Sequence, residues 1–159
     1  MQIGNFVEMI EGSIIKHWEL SSMSLYKGSG YTYEEVAHKI LQFHKIFEQT
    51  GIKRGDKISL IGLNDYNWGV VYLSTVTYGA VIVPILQDFH PNDVTHVIEH
   101  SDSDILFISS HIYDKLDKSK IPHLQGVILL DNFTVKQSKT DSFAKIVASV
   151  LSDKTKICK

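Results

Sequence analysis

Residues 55–68 read GDKISLIGLNDYNW, and this stretch decides the fold. A mostly apolar run from Ile58 to Leu63 ends abruptly in polar residues, which is typical of a strand buried on both faces. The stretch lacks the several glycines that a phosphate-binding loop requires. We therefore interpret Ile58–Leu63 as a central buried strand. Asn64 and Asp65 are then the turn and cap of the next helix, and Trp68 is its first core anchor.

Before this strand, the pattern predicts a helix and a hairpin. The helix runs from Asn5 to His17, because Asn5 is of a type favoured at helix caps and apolar residues then recur at helical spacing: Phe6, Met9, Ile10 and Ile14. The segment MSLYKGSGYTY, residues 23–33, predicts a small hairpin in which Gly28 and Gly30 supply the turn.

The second helix has the clearest signals in the chain. Glu35 follows Thr32 by three residues, which is a capping-box pattern, and Gly51 is placed as the C-terminal stop. Between them one apolar stripe recurs at helical spacing: Val36, Ile40, Phe43 and Phe47. The turn KRGD then leads into the strand Lys57–Leu63.

Residues 68–78, WGVVYLSTVTY, fit either a strand by composition or a helix by length and by the glycine that follows. We favour a buried helix, with one shared face made of Trp68, Val71, Tyr72 and Val76. The next segment, AVIVPIL, predicts a short strand buried on both faces. Pro91 then indicates a helix start, with Val94, Val97 and Ile98 on the buried side.

Further on, DILFIS (104–109) and GVILLD (126–131) predict two more buried strands, separated by a short helix or turn at 111–119. Residues 132–159 are more polar and form a less certain tail. One amphipathic patch in this tail allows a helix: Phe143, Ile146, Val147, Val150 and Leu151.

Strands that alternate with helices predict an α/β fold, an open and mostly parallel sheet flanked by helices on both faces, preceded by the small N-terminal β-hairpin. The length of 159 residues suits one domain, and no linker divides residues 1–159.

The composition excludes several classes of protein. The formal net charge of −2 and the scattered lysines give no electrostatic footprint for nucleic acid. No apolar stretch approaches the length of a membrane span, so we expect no transmembrane segment. The single cysteine, Cys158, has no partner for a disulfide and no positioned base. We expect a cytoplasmic protein, with peripheral membrane association as the alternative.

The sequence contains little evidence of catalytic or metal-binding motifs. G-x-G-x-x-G, G-x-x-x-x-G-K-[ST] and G-x-S-x-G are all absent. Residues 96–100 read HVIEH, an H-x-x-E-H string that places His96 and His100 one helical turn apart. An inverted zinc-protease motif has this form, but the string lacks the supporting acidic ligand. We favour a solvated helix face and expect no metal site and no catalytic residue in this chain.

Five short segments stand in order along the chain: YTYEEV (31–36), GIKRGDKISLIGLN (51–64), NW (67–68), YGAVIVPI (78–85) and HPNDVTHVIEHSDSDILFI (90–108). Together they resemble the N-terminal region of the adenylate-forming (AMP-binding) superfamily, which includes acyl-CoA synthetases, peptide-synthetase adenylation domains and luciferases. The segment VIEHSDSDILF is most similar to long-chain fatty acyl-CoA synthetases. One departure is Asn67, which stands where the family usually has an acid.

The resemblance implies an enzyme that activates a carboxylic acid, here a fatty acid, in two steps. The acid and ATP with Mg²⁺ give an acyl-adenylate, and CoA then gives the acyl-CoA thioester. The family's phosphate loop, ribose-binding aspartate and catalytic lysine are absent from this sequence. The resemblance therefore implies an N-terminal fragment of a larger ligase, inactive and without cofactor when alone. The alternative is a freestanding, non-catalytic α/β binding or interaction domain.

In acyl-CoA-forming members, the turn after the YGAVIVPI segment lies near the route of CoA. The resemblance implies that Gln87, Asp88 and Phe89 lie near CoA, followed by the helix that carries His96. Gln87 and Asp88 replace the family's usual small residues. The alternative is that Phe89 packs and the others cap a helix. A fragment would also expose a strand edge and an apolar patch, so we expect self-association.

Overall fold

A computed structural model describes residues 5–153 of the chain. Cys158 and the lysines of the last six residues lie outside the described residues. Within them, no helix is both long enough and apolar enough to cross a membrane.

The N-terminal elements form as the local signals predict. Helix α1 spans Phe6–Lys16 with Asn5 as its cap. Strands β1 (Ser21–Ser24) and β2 (Gly30–Thr32) form the antiparallel hairpin. Helix α2 spans Tyr33–Gln49, and its capping box is complete, because Glu35 N–H donates to Thr32 Oγ1 at 3.2 Å and Thr32 N–H donates to Glu35 Oε2 at 2.8 Å. Asn5 and Glu8 form a second capping box at the start of α1, and each box satisfies backbone donors that a helix start leaves unpaired.

The main sheet has five strands: β3 (Lys57–Ile61), β4 (Val81–Ile85), β5 (Ile105–Ile108), β6 (Gly126–Leu129) and β7 (Val135–Ser138). Their order is β4-β3-β5-β6-β7, with β4, β3, β5 and β6 parallel and β7 antiparallel to β6. The helices that follow β3 are α3 (Tyr66–Tyr78), α4 (Pro91–His100), α5 (Ser110–Tyr113) and, after β7, α6 (Asp141–Ser152), with a 3₁₀ turn at Lys118–Lys120. The predicted open, mostly parallel sheet is confirmed.

Helices cover both faces of the sheet, so the molecule has two apolar cores. Helices α2, α3 and α6 pack on one face, around the edge-to-face rings of Phe43 and Phe107, whose centroids are 5.4 Å apart. Helices α4 and α5 cover the other face, where Ile98 and Ile108 are fully buried. Strand β3 lies inside the sheet, and Ile58, Leu60 and Ile61 have no exposed surface, which confirms its interpretation as a central buried strand.

Strand β4 is less buried than the sequence predicted, because the strand order places it at the edge of the sheet, although Ile82 and Val83 pack against the two cores. Val81 is 47% exposed and Pro84 is also exposed. Val81 N–H donates to Asp56 O on the β3 side at 2.8 Å. Since successive residues of a strand direct their backbone groups to opposite edges, Pro84 directs its nitrogen to the open edge, where proline is tolerated.

The predicted face of α3 is also wrong in part. Trp68 and Tyr72 are half-buried, stack with centroids 5.4 Å apart and pack against the core, so Trp68 contacts the core as expected but is not buried in it. The buried face is instead Asn67, Val70, Val71, Ser74 and Thr75. The buried hydroxyls donate to the carbonyl oxygens of Val70 and Val71 four residues earlier, at 2.7 and 2.8 Å. They are therefore satisfied inside the helix, and an apolar pattern does not reveal them.

Two elements occupy the region that the sequence left as a polar tail. Strand β7 was not predicted, whereas helix α6 uses the amphipathic patch and buries Phe143, Val147 and Val150. The buried Gln42 of α2 donates through Nε2 to the carbonyl oxygens of Val150 and Asp153, both at 3.1 Å. These bonds join α2 to the C-terminal end of α6, where Val150 O also accepts from Asp153 N–H at 3.2 Å.

Candidate functional site at the carboxyl edge of the sheet

The carboxyl ends of β3, β4, β5 and β6 lie along one edge of the sheet. In open parallel sheets, ligands bind outside this edge. Two depressions there share one wall, the loop 86–90 that follows β4.

The first depression lies between the ends of β3 and β4 and has a volume of about 580 Å³. Its floor and walls are mainly apolar, with Leu63, Leu86 and Phe89 exposed by 58%, 67% and 43%. Polar groups come from Asn64 and from the loop. A largely apolar concavity with a few polar groups is typical of a small-molecule site.

The second depression, of about 430 Å³, lies on the other side of the same loop. Helix α5 and its flank contribute His111, Ile112 and Lys115. Lys115 and Asp88 give this wall one charge of each sign.

Three of the residues that the resemblance places near CoA come together here. Gln87, Asp88 and Phe89 line both depressions. Phe89 is not packed into a core, and the cap of α4 is His90, whose Nδ1 accepts from Asn92 N–H at 3.3 Å. His96 is exposed on α4 and lines neither depression.

The polar end of β3 is used for structure. Asp65 caps α3 by accepting from Trp68 N–H at 2.9 Å, as predicted. A side chain on Gly62 would collide with Ser109 and Leu130, so the backbone of this strand end packs directly against the next two strands. Only glycine allows such a close approach.

Asn67 makes a polar bridge that the sequence alone did not indicate. Its Nδ2 donates to Leu130 O, just after β6, and its Oδ1 accepts from Tyr31 O–H of the hairpin, both at 2.8 Å. Burial, together with the nearby Tyr66, Glu35 and Asp65, raises the pKa of Tyr31 to about 12. The hydroxyl therefore stays protonated and remains a donor at any ordinary pH. The available signal was a polar residue in the first turn of α3, directly before a mostly apolar segment.

The described residues do not contain a metal clamp. Among residues 5–153, no three His, Cys, Asp or Glu side chains lie close enough together to hold an ion.

A further depression, lined by Gln49, Thr50, Gln125 and Lys139, lies at the opposite, amino edge of the sheet. Burial and then the neighbouring Asp56 raise the pKa of Asp104 near that edge.

A parallel sheet covered on both faces, with an apolar depression at its carboxyl edge, is an α/β architecture of the class that binds ligands at this edge. The family model described as AMP-binding enzyme matches residues 17–156, so the chain belongs to the AMP-binding enzyme family.

The relatives are CoA ligases. The chain is 25% identical over 117 residues to 4-hydroxybutyrate–CoA ligase 2 of Metallosphaera sedula, covering 74% of this chain and 21% of that protein. It is 23% identical over 77 residues to long chain acyl-CoA synthetase 1 of Arabidopsis thaliana, covering 48% and 12%. The crystal structure of coronafacic acid ligase from Pectobacterium brasiliense shares the fold, with a TM-score of 0.78, 18% identity, and coverage of 91% of this chain and 29% of that one. The chain thus spans about a fifth or less of the length of these two relatives.

Proposed function

We propose that this chain forms the N-terminal part of the catalytic lobe of an AMP-forming acyl-CoA ligase. The family match over residues 17–156 carries the proposal. In the complete enzyme, a carboxylate oxygen attacks the α-phosphorus of ATP and pyrophosphate leaves. The CoA thiolate then attacks the acyl carbonyl, and AMP leaves with the bonding electron pair.

The isolated chain is expected to be inactive. Phosphoryl transfer depends on Mg²⁺ and basic groups that neutralise developing charge, and residues 5–153 contain no group of three or more His, Cys, Asp or Glu side chains that could hold that ion. The test is exchange of radiolabelled pyrophosphate into ATP by the purified chain with fatty acids. Exchange above that of a heat-denatured control would contradict the expectation that the isolated chain is inactive.

The loop 86–90 is proposed to contact CoA in the complete enzyme. Its support is geometric, since Gln87, Asp88 and Phe89 form the exposed wall between two depressions at the ligand-binding edge. Gln87→Ala and Phe89→Ala should raise the KM for CoA and leave the adenylation step unchanged. Glu99→Gln, an exposed change on α4, is the matched control. An unchanged KM for CoA in both loop variants would remove the assignment.

A fatty acid is the proposed substrate, supported by the similarity of residues 97–107 to long-chain synthetases and by the long-chain relative. The other relative is named for 4-hydroxybutyrate, so a short acid is the competing choice. Comparing kcat/KM of the complete enzyme for acids of rising chain length separates the two. A cytoplasmic location is also proposed, with peripheral membrane association as the alternative, and cell fractionation separates the two.

Self-association is proposed through the apolar surface of the first helix and its surroundings, because five large apolar side chains there are at least 48% exposed: Phe6, Met9, Ile15, Leu20 and Leu41. The open edge of β4 is a poorer surface, since Pro84 supplies no N–H there. Sedimentation should show concentration-dependent association that Met9→Lys weakens. A strict monomer at millimolar concentration would contradict this.

A freestanding binding domain is the second candidate, favoured by the absence of a metal clamp from residues 5–153. It predicts that the isolated chain binds CoA or AMP by itself. Calorimetric binding in the micromolar range, without pyrophosphate exchange, would favour this candidate over the ligase fragment.

A further inference from the structure

His96 and His100 lie one turn apart on the exposed side of α4. Their rings are nearly parallel, with an interplanar angle of 8° and centroids 5.9 Å apart. The opposite side of the helix is buried through Val94, Thr95 and Ile98, so both imidazoles face solvent. Because residues four apart on a helix are neighbours, the backbone holds the two rings together without any loop to order.

We propose that His96 and His100 bind one divalent transition-metal ion, Cu²⁺, Ni²⁺ or Zn²⁺, through one ring nitrogen each. Imidazole is a preferred ligand of all three ions. A metal–nitrogen bond of about 2.0–2.1 Å requires the rings to turn toward a common point. Exposed side chains can make this turn at small cost, because no core packing fixes them.

The surroundings of the pair favour a cation. Helix α4 carries Asp93 and Glu99 and contains no lysine or arginine. His100 lies in the last turn, where the helix dipole stabilises positive charge. Since no third candidate ligand lies in range among residues 5–153, water completes the coordination shell. This chelate differs from a catalytic zinc site, which uses three protein ligands.

The site is independent of the proposed ligase activity, because His96 lines neither depression at the carboxyl edge. The chain can therefore bind metal whether or not the CoA assignment holds.

Calorimetric titration of the whole chain with NiCl₂, CuCl₂ and ZnCl₂, in a buffer that does not chelate metal, is the first test. We expect one ion per chain, with Cu²⁺ bound more tightly than Ni²⁺ or Zn²⁺. His96→Ala and His100→Ala should each weaken binding on the order of 10²-fold, because each removes the chelate effect. His123→Ala, at an exposed loop position, should leave the affinity unchanged.

A rescue variant separates chelation from damage to the helix. Combining His100→Ala with Glu99→His restores a pair at a spacing of three residues, which also share a helix face. This double variant should recover most of the lost affinity, with circular dichroism unchanged throughout. Single variants that bind as tightly as the wild type, or a double variant that binds no better than His100→Ala, would overturn the proposal.

Discussion

Replacing Asn67 by alanine tests whether the polar bridge at the carboxyl edge holds three elements together. The side chain is 6% exposed and joins Tyr31 of the hairpin to the carbonyl of Leu130, a residue that is 2% exposed. The substitution leaves that carbonyl without a hydrogen-bond partner, and a buried carbonyl in that state lowers the free energy of unfolding by about 1–3 kcal/mol. Tyr31 is only half-buried, so its hydroxyl can recover water. We therefore expect a loss of about 2 kcal/mol in the free energy of unfolding.

Urea unfolding measures this loss. For a slope of about 2 kcal/mol per molar, the midpoint should fall by about 1 M. The melting temperature should fall by roughly 4–8 °C, at about 2–4 °C per kcal/mol for a chain of this size. A loss below about 0.5 kcal/mol, the range of ordinary surface changes, would refute the reasoning.

Asn67→Asp separates the two bonds of the bridge. A carboxylate still accepts from Tyr31 but cannot donate to Leu130 O. Burial should raise the pKa of the new carboxyl above its unfolded value of about 3.9, so the folded variant binds more protons between the two pKa values. The deficit relative to wild type should therefore be largest at neutral pH and shrink as pH falls through that window. Tyr31→Phe should show no such dependence, and a deficit of Asn67→Asp that is the same at every pH would contradict the bridge.

Three further changes probe other points of the fold. Gly62→Ala should lower the free energy of unfolding, measured by urea, by about 1–3 kcal/mol, because its methyl group meets Leu130; an unchanged free energy of unfolding would show that the neighbouring side chains move to make room. Burial and Asp56 raise the pKa of Asp104 above its ordinary value of 3.8. The folded wild type therefore loses stability as pH rises from 3.8 through the raised pKa of the folded state. Asp104→Asn should raise the melting temperature at pH 7 but not below about pH 3.8. Gln42→Leu should cost about 1 kcal/mol, the net contribution of a typical hydrogen bond, because it removes the amide bonds that join α2 to the end of α6, and an unchanged stability would show that these bonds make no net contribution.

The elements with local signals were predictable from the sequence. Capping boxes at Asn5 and Thr32 fix two helix starts, because both partners lie within four residues of each other. Gly79 ends α3 with φ of 91°, a conformation that favours glycine. Such signals need no knowledge of the rest of the chain.

Features set by distant partners were not predictable. The apolar strand β4 reads as a buried strand, yet the sheet order puts it at an edge. Strand β7, VKQS, is short and has little apolar character, and it forms because β6 offers it a free edge. The bridge of Asn67 depends on a carbonyl 63 residues away. For the same reason the loop 86–90 was singled out only by family resemblance, since no local pattern marks its residues as ligand contacts.

The end of β3 divides the carboxyl edge into two kinds of residue. Gly62, Asp65 and Asn67 are already committed to close packing, a helix cap and a buried bridge. A ligand at this edge therefore meets exposed groups instead, namely Leu63, Asn64 and the loop 86–90. If the proposed CoA contact holds, substitutions of Gly62, Asp65 or Asn67 should lower stability and leave the KM for CoA unchanged. Substitutions in the loop 86–90 should raise the KM for CoA and leave stability unchanged. Of the polar residues that end GDKISLIGLNDYNW, Asn64 lines the depression, whereas Asp65 and Asn67 hold the surrounding elements together.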